Sequence, residues 1–438
     1  MPEKLGRFYI RTFGCQMNES DSERISGMLG HAGAVRVERP EEADLIIVNT
    51  CAVREKSEQK LFSYLGRLAR IKSQRDVRVA VVGCVAQLRS RELLDRSPAV
   101  DIVLGPNNTA ELLPLVREPL AKKYISTSWS EGWPASPASV VHRDSRVSGY
   151  VTIMEGCDNF CAYCIVPYTR GREKYRPLRS ILDEVRDLAQ KGYPEVQLLG
   201  QNVNSYRDPQ TGTSFSGLLE EVAAVDGPEW LRFLTSHPKN FGPEIAETMA
   251  ETRKICRELH LPLQSGSTAV LQRMRRGYNR DQYLDIVSRL RRLMPGIGLS
   301  TDIIVGFPGE TEREFEETLE VLRQVRFANL YSFRYSPRPL TAASKLEDSV
   351  PKEEKQRRLE EVQRLQRVLQ LEDHSRRVGE TMNVLCHARA QKTPGLFSGR
   401  NEGNQVVNFR SDDDPTGRFV NVRITSFGPF SLLGEKVS

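Results

Sequence analysis

Residues 157–164 read CDNFCAYC. Cys157, Cys161 and Cys164 stand in a C-x3-C-x2-C spacing, and the rest of the chain is read outward from them. Three thiolates this close, with no other sign of disulfide use, point to one soft metal centre. The number three is informative. A cubane iron–sulfur cluster has four irons, so three protein thiolates leave one iron open to a small molecule. The ferredoxin run C-x2-C-x2-C-x3-C closes all four. Structural zinc wants four ligands, and no fourth Cys or His lies close behind Cys164. The bland alternative is three free thiols in a loop.

On either side of this run, apolar stretches alternate with helical ones. Candidate strands are YVTIMEG, EVQLLGQN, LRFLTSHP, LHLPLQSG, GLSTDIIVGFPG and NLYSFRYSP. Between them, RSILDEVRDLAQKG and EREFEETLEVLRQV carry apolar residues at helical spacing. Six such units over about 148–372 predict a curved, mostly parallel sheet, short of the eight that close a TIM barrel. The cysteine loop follows the first strand, so it lies at the C-terminal edge of the sheet, where α/β sites gather. Gln201 and Asn202 follow the second strand, Ser236 and His237 the third, and Gln264 and Ser265 the fourth. Asp302 lies in the fifth, with Gly306 and Gly309 behind it. Each also suits a cap or a turn. No Walker A loop, HExxH or GxSxG elbow appears, which leaves phosphate-loop, zinc-protease and serine-hydrolase readings without an anchor.

Three more cysteines tell a second story. The runs RFYIRTFGC, DLIIVNTC and VRVAVVGC end in Cys15, Cys51 and Cys84. They are β-rich, and the helical stretches SDSERISGMLGHAG and REKSEQKLFSYLGRLARIK separate them. That alternation predicts a parallel α/β domain over about 1–125. All strands of such a sheet end on one edge, so the three cysteines converge there and form a second three-thiol site. The alternative is ordinary buried cysteines beside a sheet.

A Ser-, Pro- and Trp-rich stretch, about 126–147, reads as a linker pinned by Trp129 and Trp133. PKEEKQRRLEEVQRLQRVLQLEDHSRRVG, 351–379, reads as a long helix with Pro351 suiting its first turn. The last part, about 375–438, has short strands and glycine turns and predicts a small β-barrel. Cys256 and Cys386 fit neither trio and read as structural thiols. Sixty-three basic against 57 acidic residues give a net charge of +6, which permits a polyanionic partner without demanding one. With 39% hydrophobic and 27% charged residues, the 438-residue chain can bury full cores. The N-terminal stretch MPEKLGRFYIRTFG has no apolar signal region, and no apolar run nears the ~20 residues of a membrane span. The expected location is cytoplasmic, with no membrane partner.

CxxxCxxC with Tyr163 before the last cysteine resembles the radical S-adenosylmethionine (SAM) signature. The resemblance implies a partial (β/α)6 radical SAM barrel around a 4Fe-4S cluster held by Cys157, Cys161 and Cys164. Its open iron chelates SAM, with Tyr163 against the adenine and with Gln264, Ser265, Gly306 and Gly309 as further contacts. GCQMNESDSE, NTCAVREK and VVGC resemble the N-terminal domain of the methylthiotransferase branch. There Cys15, Cys51 and Cys84 hold an auxiliary 4Fe-4S cluster, with Asn18, Asn49 and Thr50 close behind the sulfurs. No residue beyond the clusters is implied as catalytic. IVPYTRG, LLGQNVNSY, TSHPKNF, HLPLQSGS and STDIIVGFPGETE resemble the tRNA methylthiotransferases acting on isopentenyl-adenosine. One departure is RYSPRPLTAAS, 334–344, where the family usually reads RPGTPA.

The strip Arg170, Arg172, Lys174 and Arg176 suits a phosphate backbone. The C-terminal barrel resembles the TRAM domain, with Arg389, Lys392, Arg400 and Arg410 toward RNA phosphates and Asn401 in place of the family's Thr. The implied partners are tRNA, a flavodoxin- or ferredoxin-like electron donor and a sulfur donor. The implied reaction uses one SAM to methylate a cluster-borne sulfur and a second to generate a radical at carbon 2. The rivals are methylthiolation of threonylcarbamoyl-adenosine or of a ribosomal protein, and a non-catalytic iron–sulfur or zinc RNA-binding module.

Overall fold

The computed structural model describes residues 6–53, 55–117, 122–130, 132–133, 141–391 and 393–437. Its first domain is a parallel sheet in the order β2-β1-β3-β4-β5-β6. The strands are β1 (Arg7–Phe13), β2 (Val35–Arg36), β3 (Leu45–Thr50), β4 (Arg78–Val82), β5 (Ile102–Leu104) and β6 (Tyr124–Ser126). β2, β5 and β6 are too short to show a period in sequence, and β6 carries the sheet one residue into the expected linker. Every side chain of β3 is buried, as a central parallel strand requires. Ile46 and Val48 pack on one face with α2 (Glu55–Gln74) and α3 (Cys84–Arg96). Leu45 and Ile47 pack on the other with α1 (Gln16–His31) and α4 (Leu112–Arg117). The register sets Phe13 beside Thr50 and Asn49 beside Val82, so β1, β3 and β4 end level.

The central domain has the six expected parallel strands, in chain order around an open half-barrel. β7 (Ser148–Thr152), β10 (Glu195–Leu199) and β11 (Trp230–Phe233) form one sheet. β12 (Glu258–His260), β13 (Gly298–Val305) and β14 (Asn329–Arg334) form another. A single parallel bridge, Leu231 to Ile255, joins them, where one continuous sheet was expected. β8 (Met154–Glu155) and β9 (Lys174–Tyr175) pair as a short ribbon around the cysteine loop. α5 (Val166–Thr169) lies within that loop. The outer layer is α6 (Leu178–Gln190), α7 (Phe215–Ala223), α8 (Pro243–Glu251), α9 (Thr268–Arg273), α10 (Arg280–Leu293) and α11 (Glu312–Val325). α12 (Lys352–Arg376) begins after Pro351, which stands just before its first turn rather than in it. Its buried Arg358 pairs with Glu310 at 2.9 Å, and Gln366 donates to the Phe327 carbonyl, so the helix packs along the end of the half-barrel.

The last domain is a closed barrel, β15-β16-β17-β19-β18. Its strands are β15 (Thr381–Arg389), β16 (Phe397–Asn401), β17 (Val406–Arg410), β18 (Phe419–Phe427) and β19 (Leu432–Val437). Cys386 is in its core. Cys256 lies with Trp230, Val147 and Leu385 where barrel and half-barrel meet. That seam also buries Arg232, which pairs with Glu195 at 2.6 Å and Glu258 at 2.7 Å. The same guanidinium donates to the carbonyls of Asn401 and Glu402 in the barrel. Asn401 is therefore a turn and docking residue: across the hairpin its side chain donates to the Gln405 side chain and accepts the Gln405 N–H.

The linker is pinned as expected. The Trp129 ring covers Gly171, where a Cβ would stand 2.9 Å from it. Trp133 receives Arg24 at 5.5 Å and Arg176 at 6.0 Å. Further along, buried Arg143 ties Glu23 of α1 to Glu184 of α6 and so locks the first two domains together.

Candidate functional site

At the level edge of the first sheet, Cys15, Cys51 and Cys84 meet. Cys15 is the N-cap of α1 and Cys84 the first residue of α3. The Cys15 and Cys51 thiols hydrogen-bond one another. That bond, against burial and with help from Arg170, holds Cys15 down at about 6. The same bond and burial push Cys51 up. Asn18 Oδ1 lies 3.4 Å from both the Cys15 backbone nitrogen and its sulfur, and Asn18 Nδ2 donates to Asn49. Thr50 Oγ1 is buried without a partner. Gly83, at φ +93°, admits no side chain, because a Cβ would stand 2.4 Å from Asn49 Oδ1.

The second trio hangs below β7. Gly156, at φ +81°, lets the loop pass so close to Arg172 that a Cβ would sit 2.0 Å from its carbonyl oxygen. Asn159 Nδ2 lies 3.5 Å from Cys157 Sγ. Arg276 Nη1 donates to Cys161 Sγ at 3.3 Å and to the Tyr163 hydroxyl at 3.2 Å. Burial pushes Cys157 up to about 11 and Cys164 up to about 12, so protein alone keeps them as thiols and a metal must displace their protons. His237 Nε2 is 3.8 Å from Cys161 Sγ. Burial, with Arg276 and Lys239, pushes that imidazole down to about 2, so it is neutral and offers no acid.

Both trios suit 4Fe-4S clusters. Among the described residues no three Cys, His, Asp or Glu side chains converge on one ion. A cubane takes each thiolate on a separate iron and needs no such convergence. Beside the second trio, the strand ends carry buried polar atoms without partners: Asn202 Oδ1, Ser236 Oγ and Gln264 Oε1. A buried polar atom is costly unless a ligand or water satisfies it. Thr235 and Gln264 both hold φ of +73° and Phe160 one of +45°. Strained backbone of this kind collects at binding sites.

Not every residue expected in the site is free for it. The Ser265 hydroxyl is fully buried and occupied by the Ser267 N–H and Thr318. The Gly306 N–H is taken by Glu310 at 2.5 Å, with the Lys355 stem above it, and the Gly309 N–H by Ser349. These three shape the rim rather than offer donors to a ligand. Gln201 accepts from the Gly156 N–H, and Asp302 faces His260 at 3.4 Å.

The basic strip divides. Arg170 is 3% exposed and pairs with Asp21 of α1 at 2.5 Å, so it is no phosphate contact. Arg176 is equally buried against Glu184. Asp21 of the first domain covers Arg170, while Glu184, Ser180 and the Thr152 carbonyl of its own domain cover Arg176. Lys174 donates to Asn107 and Ser130. Arg172 is exposed, over the Phe160 ring and 3.3 Å from Asp158. On the barrel, Arg389 stacks on Phe397, Arg400 bonds Asn404, and Arg410 is exposed. Lys392 lies outside the described residues.

Sequence reasoning passed over Arg276. It is one of two consecutive arginines behind α9, and only its fully buried position beside Cys161 singles it out. It also passed over the way one loop holds the trios together. Ala343 N–H donates to the Ala162 carbonyl, between Cys161 and Cys164. Arg338 donates to the Val53 carbonyl, two residues past Cys51. Ile165 is buried in the first domain's core, and Ser20 bonds Thr152 at 3.0 Å. These contacts tie the cysteine loop of the half-barrel to the first domain.

That loop is where the sequence departs from RPGTPA. Leu340 stands at the glycine position with φ +69°, a left-handed conformation costly for a branched side chain. Leu340→Gly is expected to relieve it and stabilise the protein by up to about 1 kcal/mol, read as a raised thermal midpoint.

The Uncharacterized protein family UPF0004 model matches residues 7–105, the Radical SAM superfamily model 151–322 and the TRAM domain model 375–437. A protein of Syntrophotalea carbinolica named tRNA-2-methylthio-N(6)-dimethylallyladenosine synthase is 44% identical over 98% of this chain and 99% of its own. A protein of the same name from Geobacter metallireducens is 45% identical over 99% and 98%. Among solved structures, the radical S-adenosylmethionine methyltransferase TsrM of Kitasatospora setae superposes with a TM-score of 0.59. It is 16% identical and covers 90% of this chain and 78% of its own, a likeness of fold.

Proposed function

This chain belongs to the radical SAM methylthiotransferase family of tRNA-2-methylthio-N(6)-dimethylallyladenosine synthases, and on that premise we propose how its residues divide the work. It is a tRNA-modifying transferase that replaces the hydrogen on carbon 2 of N6-isopentenyl-adenosine with a methylthio group, using SAM and 4Fe-4S clusters. Bound in place, these cofactors supply a 5′-deoxyadenosyl radical for an unactivated C–H bond and the sulfur to be methylated.

The protein's part is to hold and aim. Cys157, Cys161 and Cys164 carry one cluster; Cys15, Cys51 and Cys84 carry the other. Arg276 donates to the Cys161 sulfur, which raises a cluster's potential. Asn202, Ser236 and Gln264 offer their unpartnered polar atoms to SAM, with the Tyr163 ring toward its adenine. The observation that carries this reading is the shared loop, which bonds behind Cys51 at Arg338 and between Cys161 and Cys164 at Ala343. It ties the two cysteine loops together, and on this reading a base splayed from a tRNA loop reaches them without a duplex being melted. Arg172, Arg389 and Arg400 reach the RNA backbone. A flavodoxin- or ferredoxin-like carrier and a sulfur donor complete the reaction, in the cytoplasm where tRNA is. Among the described residues no helix is long and apolar enough to cross a membrane.

The test is reconstitution with iron and sulfide without oxygen, then SAM, a reductant and tRNA bearing isopentenyl-adenosine. The expected product is a methylthio nucleoside, seen by mass after digestion. 5′-Deoxyadenosine without it would retain the radical chemistry and refute the substrate. Neither product, from protein holding both clusters, would favour a binding module.

A further inference from the structure

An open groove of about 710 Å³ lies on the first domain between β1 and α2. That is within the roughly 300–1,000 Å³ of ligand sites. Tyr9, Arg11 and Phe13 alternate along β1 and share one face. Lys56, Lys60 and Tyr64 recur every four residues along α2 and share one stripe. The aromatic floor is ordered: Phe13 and Tyr64 meet edge to face at 5.7 Å, and Arg11 lies 5.5 Å over Phe13. The cations are unspent. Arg67 at the far end is paired with Glu41 at 2.7 Å. Among the described residues, no carboxylate pairs with Arg11, Lys56 or Lys60.

The groove begins at the thiol edge. The Phe13 carbonyl accepts the Cys51 N–H at 3.0 Å, so its mouth adjoins the N-terminal trio. From Phe13 back to Tyr9 it runs about 13 Å along the strand. Open cations interleaved with half-buried aromatic rings are what a single-stranded nucleic acid meets on its binding proteins: phosphates find charge and bases find a π face.

We propose that this groove is an RNA-binding site for nucleotides flanking the modified base, with phosphates on Arg11, Lys56 and Lys60 and a base against Phe13 or Tyr64. The proposal rests on the tRNA-substrate reading and adds a surface outside both the half-barrel and the C-terminal barrel.

The test uses full-length protein carrying both clusters and a fluorescent anticodon stem-loop RNA bearing N6-isopentenyl-adenosine. Anisotropy is followed across salt concentrations. Lys56→Glu with Lys60→Glu is expected to weaken binding about tenfold or more near 0.1 M salt. The slope of log K against log salt should become shallower by about 1.4, two single-strand phosphate contacts. The Lys→Gln pair should lose less, and KM for RNA should rise more than kcat falls. Iron content and thermal midpoint serve as folding controls. If wild type binds and the double variant keeps its affinity and slope, the groove proposal falls alone. If wild type binds no RNA, the groove and the tRNA reading fall together. Loss of reduction by an acidic protein carrier with RNA binding intact would also overturn the proposal, assigning the patch to that carrier.

Discussion

Cys161→Ala is expected to yield protein with half the iron of wild type and no methylthiolated nucleoside. The trios stand at the edges of separate sheets, and no backbone element carries ligands of both, although Ile165 beside Cys164 is buried in the first core. Removing Cys161 leaves two thiols for a cubane, and the Arg276 guanidinium loses its sulfur acceptor. Cys15, Cys51 and Cys84 keep every contact they have. The retained cluster should give an iron–sulfur spectrum unmoved by SAM, since no SAM site remains beside it. Cys84→Ala is the reciprocal case: half the iron, a spectrum that SAM perturbs, 5′-deoxyadenosine formed, and no methylthio product. Loss of all iron in either variant would sink the two-site assignment, because it would mean that one cluster spans both trios or that one trio folds only with the other filled.

Arg232→Met is expected to cost about 3–5 kcal/mol, the scale for breaking one partner out of a buried ion network. Arg232 is 2% exposed and stands between the Glu195 and Glu258 carboxylates, both buried. Without it two negative charges remain in the seam, and the carbonyls of Asn401 and Glu402 lose their donors. The barrel should loosen from the half-barrel, seen as faster proteolysis between Arg376 and Thr381 together with a lower thermal midpoint. The network also sets a pH dependence. Burial alone would raise the Glu195 carboxyl, but His387, Arg232, Ser148 and Gln197 outweigh it and hold it at about 2. A carboxyl depressed in the folded state contributes stability above its unfolded value, near 4.3. That contribution fades as pH falls from there toward 2. Wild type should therefore lose stability over this window, and Arg232→Met should lose less of it. A variant within about 1 kcal/mol of wild type at neutral pH would refute the seam as a structural lock.

Much of this was legible in the chain because strand and helix periods are local. RFYIRTFGC, DLIIVNTC and VRVAVVGC each show a strand leading into a cysteine, and parallel topology alone brings their ends together. The spacing of Cys157, Cys161 and Cys164 carries the chemistry of the second trio in eight residues. Charge was read less well. Arg170, Arg172, Lys174 and Arg176 look alike as a basic strip, yet two of them are buried. Whether an arginine meets solvent or a carboxylate depends on what the fold places over it, here Asp21 from α1 of the first domain over Arg170 and Glu184 from α6 of its own domain over Arg176.

Composition and spacing by themselves pointed to three domains and to two groups of three thiols at the ends of their sheets' strands. Those features follow from residue type and short-range periodicity. Only the tertiary structure decided that Arg276 reaches a cysteine 115 residues away, that Ser265, Gly306 and Gly309 are already bonded to Thr318, Glu310 and Ser349, and that the RPLTAA loop bonds to both cysteine loops. The groove between β1 and α2 belongs with these. Its residues come from two elements whose facing requires a packed core between them, and a contact made across packed elements leaves no period in the sequence of either.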